Sequence, residues 1–334
     1  MKPSVVILFI LSLISISCSK PSPYVKSEGM IWNTVYHVTY EGPESLKDSI
    51  LPVLNRVSHS LSVFDSNSLI TQLNDSNCVE ADHHLVTVYE TSIRINRLSH
   101  GKFDPTVSPL IDAWGFGIGH KASADTLTID SILDFVGIQK TFRDGNKIIK
   151  QDPRTRFNFS AIAKGYGCDA VGHMFKRNGV HNFMVEIGGE LTLSGQSPSG
   201  NPWKIAVDAP VDDINPGEES VLILSLSNAG VATSGNYRNF RLENGRKVVH
   251  TISPITGYPV LGSILSATVI APDCMVADGI ATACMASSQE EAKNLIREED
   301  VEGLLVFNDS IWYSPGFSRY IISEVSEPGK TIRN

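Results

Sequence analysis

The 334-residue sequence lacks the features that mark several large classes of protein. It has no Lys/Arg-rich stretch, and its formal net charge is -8, so it has no basic footprint for nucleic acid. Its five cysteines form no CxxC pair and no Cys/His spacing typical of zinc. No apolar run reaches the length of a membrane-spanning helix. These absences argue against a nucleic-acid-binding protein, a zinc protein and an integral membrane protein.

The longest apolar run extends from Val5 to Ile16 and follows the basic residue Lys2. At 1.5 Å per residue, a helix of this length spans only about 18 Å, less than the roughly 30 Å of a bilayer core. A short apolar run after a positive charge is typical of an export signal. The sequence therefore predicts a protein of the cell envelope, facing the periplasm.

The end of this run resembles a bacterial lipobox. Small residues precede Cys18, although Ser15 stands where Leu is usual, and a polar, Pro-rich stretch follows. We predict a signal peptide over residues 1–17, a lipid anchor at Cys18 and a tether over residues 18–23. The alternative is an ordinary cleaved signal with an incidental cysteine.

The rest of the chain has a globular composition, with 42% hydrophobic and 19% charged residues overall. Apolar periodicity predicts helices over residues 44–61, 85–98, 163–176, 276–286 and 289–297. Strands are predicted over residues 148–149, 157–159, 181–187, 190–193, 203–207, 221–226, 265–270, 303–307 and 311–313, with a loop over 101–119. The elements show no regular βαβ alternation, and no Gly/Ser-rich linker divides them. We predict one α+β domain over residues 24–334, with a β-rich centre and flanking helices.

Two segments place polar side chains beside glycine and aromatic residues. In the loop around Phe103, Asp104 and Trp114, aromatic rings could stack on a planar ligand while Asp104 accepts hydrogen bonds; the alternative is an Asp-Pro turn beside a core tryptophan. In residues 158–166, a strand turns into a helix whose first turn holds Lys164. The helix dipole disfavours a cation there, so Lys164 either faces an anion or is a solvated surface lysine.

Three further segments carry polar groups. The Gly-Gly pair in residues 185–190 is typical of a structural turn between strands. Ser234 and His250 do not indicate a serine hydrolase, because the G-x-S-x-G elbow and an acid partner are missing. Asp278 and Thr282 lie at positions i and i+4 of a predicted helix, so both oxygens share one face and suit Mg²⁺. The alternative is a helix-terminal Asp with a back-bonded Thr.

Taken together, these segments resemble the FAD:protein FMN transferase (ApbE) family. The resemblance covers the chain from about Trp32 to about Gly316 and rests on motifs in the family's order. They are FDPTV at 103–107, WGFG at 114–117, SAIAKGY at 160–166, GGE at 188–190, ATSGNYR at 232–238, H-x-I-x-P-x-T-G at 250–257 and ADGIAT at 277–282.

The resemblance implies an envelope enzyme that uses FAD as substrate and binds Mg²⁺. Such enzymes attach FMN through a phosphoester to a threonine (or serine) hydroxyl of a partner and release AMP. The partners are flavin-accepting subunits of membrane electron-transfer complexes. The implied FAD-site residues are Trp32, Phe64, Lys102, Phe103, Asp104, Asn158, Lys164, His250 and Ile252. The implied metal ligands are Asp278, Thr282 and the backbone oxygens of Ala161 and Ala281.

The sequence departs from the family pattern at several of these positions. Trp32-Asn33-Thr34 replaces Met-Gly-Thr, and Phe64 replaces a frequent Tyr, which alters stacking on the flavin ring. Asn158 and Ser253 stand where many members have Asp, so two hydrogen-bond anchors are lost.

The residue types fit phosphoryl transfer, which needs positioning and charge neutralisation more than covalent help. Asp278 and Thr282 would hold Mg²⁺, which would neutralise charge on the pyrophosphate and on departing AMP, and Lys164 would add a second positive charge. His250 is the candidate general base for the acceptor hydroxyl, and a metal-linked carboxylate is the alternative base. Two other functions remain open at this point: an FAD pyrophosphatase that gives FMN and AMP, and a non-catalytic FAD-binding lipoprotein.

Overall fold

The computed structural model describes residues 23–117, 125–208, 220–236, 240–243, 246–299, 301–324 and 331–332. The predicted signal peptide, Cys18 and nearly all of the predicted tether lie outside these residues. Within the described part of the chain, no helix is both long enough and apolar enough to cross a membrane.

The described residues form a mixture of helices and strands. The α-helices are α1 Ile50–Leu61, α2 Leu69–Asp75, α3 His83–Leu98, α4 Ser108–Ala113, α5 Thr126–Leu133, α6 Ala163–Arg177, α7 Cys274–Met285 and α8 Gln289–Glu298. The strands are β1 Tyr24–Ile31, β2 Thr34–Glu41, β3 Cys78–Glu80, β4 Thr141–Asp144, β5 Lys147–Lys150, β6 Phe183–Ile187, β7 Glu190–Ser194, β8 Trp203–Asp208, β9 Ser220–Leu226, β10 Ala229–Gly235, β11 Phe240–Glu243, β12 Arg246–Val249, β13 Ile264–Ala271, β14 Glu302–Phe307, β15 Ser310–Tyr313, β16 Ile321–Glu324 and β17 Thr331–Ile332. Short 3₁₀ helices cover Glu44–Ser49, Ile138–Lys140 and Phe317–Tyr320.

A nine-stranded sheet organises the fold, with strand order β1-β2-β6-β7-β10-β13-β14-β15-β17. Its neighbours pair antiparallel, apart from the parallel pair β15–β17. Helices α6 and α7 pack on one face of this sheet. A three-stranded sheet, β16-β9-β8, shares a core with the opposite face. The fold is therefore α+β, as the sequence predicts.

The two faces of the large sheet follow the period of two along each strand. In β7, Leu191 and Leu193 face the small sheet, and Thr192 faces the helices. All five residues of β7 are buried, because both faces of this strand are covered. A charged residue at the start of such a strand, Glu190, is therefore held inside the protein.

Helix α7 is positioned by a residue from another helix. Its N-cap residue, Asp273, makes no side-chain hydrogen bond to the helix. Asp169 of α6 does so instead, accepting from the N–H groups of Cys274 (3.0 Å) and Met275 (2.8 Å) and from the Thr192 hydroxyl (2.7 Å). Burial raises the pKa of Asp169 to about 6, against these hydrogen bonds, which lower it. A buried carboxylate thus fixes the helix on which Asp278 lies.

The structure confirms the five predicted helices, with ends shifted by a few residues, although residues 44–49 of the first form a 3₁₀ helix. It corrects two other predictions. The predicted loop over 101–119 contains helix α4, which has a proline in its first turn, a position that proline favours. Phe157–Phe159 is not a strand, because the Asn74 side chain bonds both the N–H (2.7 Å) and the C=O (2.9 Å) of Phe157 in place of a neighbouring strand.

A buried lysine beside this segment gives a test of the fold. The Lys150 ammonium donates to the carbonyls of Asn74 (3.2 Å), Pro153 (3.2 Å) and Thr155 (2.9 Å). Replacing Lys150 by Met leaves these carbonyls without that donor, so we expect a loss of about 2–3 kcal/mol in the free energy of unfolding. Urea denaturation measures it, with the exposed Lys147→Met on the same strand as control. Equal stability of the two variants would contradict the prediction.

Candidate active site

Two cavities of about 430 Å³ each lie side by side near the start of α6. Ser160 and Lys164 line both of them, so the cavities are neighbouring halves of one cleft and Lys164 lies at their junction. We call the first the polar cavity; its walls include residues 102–105, 160–161, 233–235 and 250–252, together with Asn158, Lys164, Glu190, Pro254, Asp278 and Thr282. We call the second the apolar cavity; it is lined by residues 31–33, 57–58, 61–65, 160 and 163–164.

The cleft brings most of the predicted site residues together. Those that line the polar cavity are Lys102, Phe103, Asp104, Asn158, Ala161, Lys164, His250, Ile252, Asp278 and Thr282. Trp32 and Phe64 line the apolar cavity. Ala281 is fully buried in α7, and its carbonyl as a metal ligand stays a prediction.

Asp278 is buried at the wall of the polar cavity and is tied to the first turn of α6. Its Oδ2 accepts a hydrogen bond from the Gly165 N–H at 3.0 Å. A side chain at Gly165 would place its Cβ 2.5 Å from the Cys274 carbonyl oxygen, so only glycine allows the two helices this approach. Burial raises the pKa of Asp278, while the Lys164 ammonium and the Gly165 N–H lower it.

Three oxygen atoms lie close together one turn along α7 from Asp278, those of Thr282, Ala161 and Ser234. The Thr282 hydroxyl donates to the Ala161 carbonyl at 3.4 Å and lies 3.3 Å from the Ser234 hydroxyl. The Thr282 hydroxyl therefore bonds to a residue outside its own helix, and not back to α7 as the alternative interpretation had it. No cluster of three or more His, Cys, Asp or Glu side chains suited to a metal occurs within the described ranges. A cation here would take one carboxylate together with hydroxyl and carbonyl oxygens, a set that suits Mg²⁺ and not zinc.

Lys164 faces an anion, as one of the two sequence interpretations predicts, and that anion belongs to the protein. Its ammonium pairs with the Glu190 carboxylate, and 34% of the Lys164 side chain is exposed to the cleft. Burial alone would lower the pKa of Lys164, but the carboxylates of Glu190 and Asp278 outweigh it and raise the pKa.

Glu190 is the site residue that the sequence reasoning missed. The Gly188-Gly189 turn before it has positive φ values of 60° and 97° and is a structural turn, as predicted. The carboxylate that follows it points from a wholly buried strand into the polar cavity. A single charged residue within an otherwise buried strand is the sequence signal that would have identified it.

Asp104 lines the polar cavity, but its carboxylate serves its own loop. One oxygen accepts from the N–H (2.8 Å) and hydroxyl (2.6 Å) of Thr106. The other accepts from the Asn96 amide (3.1 Å) and the Ile138 N–H (2.9 Å). These four donors match the roughly four lone-pair sites of a carboxylate. Burial raises the pKa of Asp104, although each hydrogen bond lowers it. Asp104 therefore shapes the cavity wall through bonds within the protein, and its role in binding FAD stays a prediction.

The two positions where the sequence lacks the usual acid are used for turns. The Asn158 side chain accepts from the Ser160 N–H at 2.9 Å. The Ser253 hydroxyl accepts from the N–H groups of Ile255 (3.3 Å) and Thr256 (3.1 Å). Both side chains fix the loops that carry cavity-lining residues. The Lys102 ammonium lies 3.4 Å from a Glu291 carboxylate oxygen at the cavity rim.

Trp32 has an unusual backbone for a bulky residue, with φ at 51° in the turn between β1 and β2. Its indole ring packs so closely on Gly167 that a Cβ there would lie 2.5 Å from the ring. The indole Nε1 is buried without a hydrogen-bond partner among the described residues. Phe64, across the apolar cavity, is 65% exposed. The apolar cavity thus presents one fixed ring and one accessible ring.

A polar cavity with carboxylates and a lysine, joined to an apolar cavity with aromatic walls, suits an extended ligand that has a polar part and a planar part. Residues 32–305 match the sequence profile of the ApbE family. The chain belongs to this family.

The relatives cover nearly the whole chain. An FAD:protein FMN transferase from Vibrio cholerae is 32% identical, over 93% of this chain and 94% of the relative. One from Haemophilus influenzae is 32% identical, over 87% and 88%. The solved flavin transferase ApbE from Vibrio cholerae has a TM-score of 0.80 at 29% identity, covering 90% of this chain and 100% of that one. The Pseudomonas stutzeri flavinyl transferase ApbE, in its apo form, has a TM-score of 0.81 at 28% identity, covering 92% and 99%.

Proposed function

We propose that this protein is an FAD:protein FMN transferase that transfers FMN from FAD to a threonine or serine hydroxyl of a partner protein and releases AMP. One observation carries the proposal beyond the names of the relatives. Lys164 lies at the junction of the two cavities, and the carboxylates that face its ammonium, Glu190 and Asp278, line the polar cavity beside it. A dinucleotide that spans both cavities presents its pyrophosphate at that junction.

The two cavities divide the substrate by its chemistry. The apolar cavity, with Trp32 and Phe64, suits the isoalloxazine ring, because aromatic faces stack on planar rings. The polar cavity, with Lys102, Asn158 and His250, suits the pyrophosphate and the adenosine half. The cleft then holds FAD extended, with the bond to be cleaved beside Lys164.

The charges of the site support a divalent cation as cofactor. When ionised, Asp278 and Glu190 outweigh the single charge of Lys164, so an incoming pyrophosphate meets a negative site. Asp278, Thr282 and the Ala161 carbonyl would hold Mg²⁺, which prefers few protein oxygens and shares the rest of its sphere with phosphate and water. The ion would supply neutralisation of charge on the pyrophosphate and on departing AMP.

The protein groups then have separate roles in the transfer. The acceptor hydroxyl attacks the phosphorus of the FMN half; the new O–P bond forms as the bridging P–O bond breaks, and AMP leaves with the electron pair. His250, which lines the polar cavity, takes the hydroxyl proton as general base. Lys164 neutralises charge on the phosphate oxygens, and the Gly165 N–H holds the Asp278 carboxylate in place.

Intact-mass spectrometry tests the proposed function. Protein, FAD and Mg²⁺ are incubated with candidate acceptors from the same genome, including flavin-accepting subunits of membrane electron-transfer complexes, and AMP is measured in parallel. We expect one acceptor to gain the mass of an FMN group. AMP release at the same rate without any acceptor would indicate an FAD pyrophosphatase. Tight FAD binding without turnover would indicate a non-catalytic flavin-binding protein.

The place of Trp32 in the apolar cavity predicts a selective loss of affinity. Replacing Trp32 by Ala removes the stacking surface for the flavin ring, so we expect FAD to bind about 10- to 100-fold more weakly. ADP, which has the pyrophosphate and adenosine but no flavin, should bind unchanged. Isothermal titration measures both affinities, with the exposed Met30→Ala on β1 as control. Equal losses for FAD and ADP would contradict the assignment.

The cellular location belongs to the same proposal. A lipid anchor at Cys18 would hold the enzyme on an envelope membrane, facing the periplasm, beside membrane-bound flavin acceptors. The support is the apolar run and small residues before Cys18. Fractionation of cells that carry Cys18→Ala tests it, since the variant should leave the membrane fraction.

A further inference from the structure

Glu190 is deeply buried, and one of its carboxylate oxygens has no hydrogen-bond partner among the described residues. It is only 3% exposed, and its carboxylate lines the polar cavity. One oxygen, Oε1, contacts the Lys164 ammonium. The other, Oε2, is shielded from solvent and has no hydrogen-bond partner in the described part of the chain.

Stability alone does not account for this carboxylate. Burying a charged group costs several kcal/mol unless its partners compensate fully, and buried ion pairs often contribute little to stability. The buried oxygen without a partner adds to that cost. Burial accordingly raises the pKa of Glu190, although Lys164 opposes the shift. A costly group retained at the wall of a reactive cleft points to a task in that cleft.

That task concerns Lys164, which is the second residue of α6. The N-terminal end of a helix repels a cation, and the lysine side chain is a flexible four-carbon stem. Both properties would move the ammonium away from the start of the helix. The contact with Glu190 opposes this movement and keeps the ammonium at the junction of the two cavities. Since a lysine ammonium has three donors, it can contact Glu190 and still donate to a phosphate.

We propose that Glu190 is a positioning residue for the transfer reaction, and that it acts by holding the Lys164 ammonium against the pyrophosphate of bound FAD. The inference rests on the proposed function. It assigns Glu190 no contact with the reacting phosphorus and no proton transfer. Its effect therefore passes through Lys164, and this has a measurable consequence.

A double-mutant cycle tests the coupling. The variants are Glu190→Gln, Lys164→Met and the double variant, assayed for AMP release from FAD and for flavin transfer to an acceptor. Gln keeps the shape but loses the charge-assisted contact, so we expect kcat to fall about tenfold with little change in the KM for FAD. Lys164→Met should lower kcat about 100-fold. The double variant should be no slower than Lys164→Met, because Glu190 has nothing left to position.

Controls separate this role from a structural one. Glu28→Gln, an exposed carboxylate on β1 of the same sheet and outside both cavities, should keep wild-type kcat and melting temperature. Glu190→Asp keeps the charge and should recover part of the activity lost in Glu190→Gln. Losses that multiply in the double variant would overturn the proposal, as would wild-type kcat in Glu190→Gln. A wild-type protein that neither cleaves FAD nor transfers flavin would instead refute the proposed function.

Discussion

Replacing Asp278 by Asn is expected to lower FAD turnover by about 10³-fold, because it removes the one carboxylate of the proposed cation site. The amide oxygen of Asn can still accept the hydrogen bond from the Gly165 N–H, so the contact between α6 and α7 should survive. FAD binding should therefore be retained in part, through the aromatic walls of the apolar cavity. The loss should appear in kcat and in the affinity for the metal.

Two measurements separate metal binding from turnover for this variant. Electron paramagnetic resonance of added Mn²⁺ reports binding of the ion in the absence of FAD, and AMP release reports turnover. Asp273→Asn is the matched control, since Asp273 is exposed on the same helix and makes no side-chain capping bond. Chelation of divalent ions should reduce the wild-type rate to that of Asp278→Asn. Turnover that survives in Asp278→Asn would show that this carboxylate does not hold the ion.

Replacing Asp169 by Ala is expected to lower the free energy of unfolding by about 3–5 kcal/mol, as the loss of a buried hydrogen-bond network does elsewhere. Two backbone N–H groups at the start of α7 and the Thr192 hydroxyl lose their acceptor. Such a loss is a large part of the 5–15 kcal/mol that stabilises a typical protein. Activity should fall too, because α7 carries Asp278.

The matched control for this prediction is the residue at the conventional capping position. Asp273→Ala should cost less than about 1 kcal/mol, since that side chain is exposed and interacts with the helix only through its charge. Asp169→Asn should fall between the two, because it keeps one acceptor oxygen but places an NH₂ group against the Met275 N–H. Thermal and urea unfolding give the order. Equal effects of Asp169→Ala and Asp273→Ala would contradict the role of Asp169.

Apolar periodicity along the sequence predicts most of the long helices. In α1, α3, α6, α7 and α8, apolar residues recur at the helical period, and each backbone hydrogen bond joins residues only four apart. The structure of residues 157–159 was not predictable in this way, because the backbone of Phe157 bonds to the side chain of Asn74, far away in sequence. A short apolar and polar alternation has the same appearance in a true strand and in such a segment.

Part of the candidate site also follows from local sequence. The sequence determined which segments carry polar groups beside glycines, and their order indicated the family and most of the cleft residues. It also placed Asp278 and Thr282 on one helix face, since that depends only on their spacing of four. All of these properties are local, and a local pattern can be read along the chain.

The tertiary structure decided which charges meet. The Lys164 ammonium contacts Glu190 because β7 lies beside the start of α6. Asp169 accepts a hydrogen bond from the first N–H of α7, although Cys274 is 105 residues away in sequence. The Asp104 carboxylate accepts four hydrogen bonds, from donors in its own loop and in two other segments that the fold brings to it. Burial and pairing of ionisable groups depend on contacts between distant segments, which no local spacing encodes.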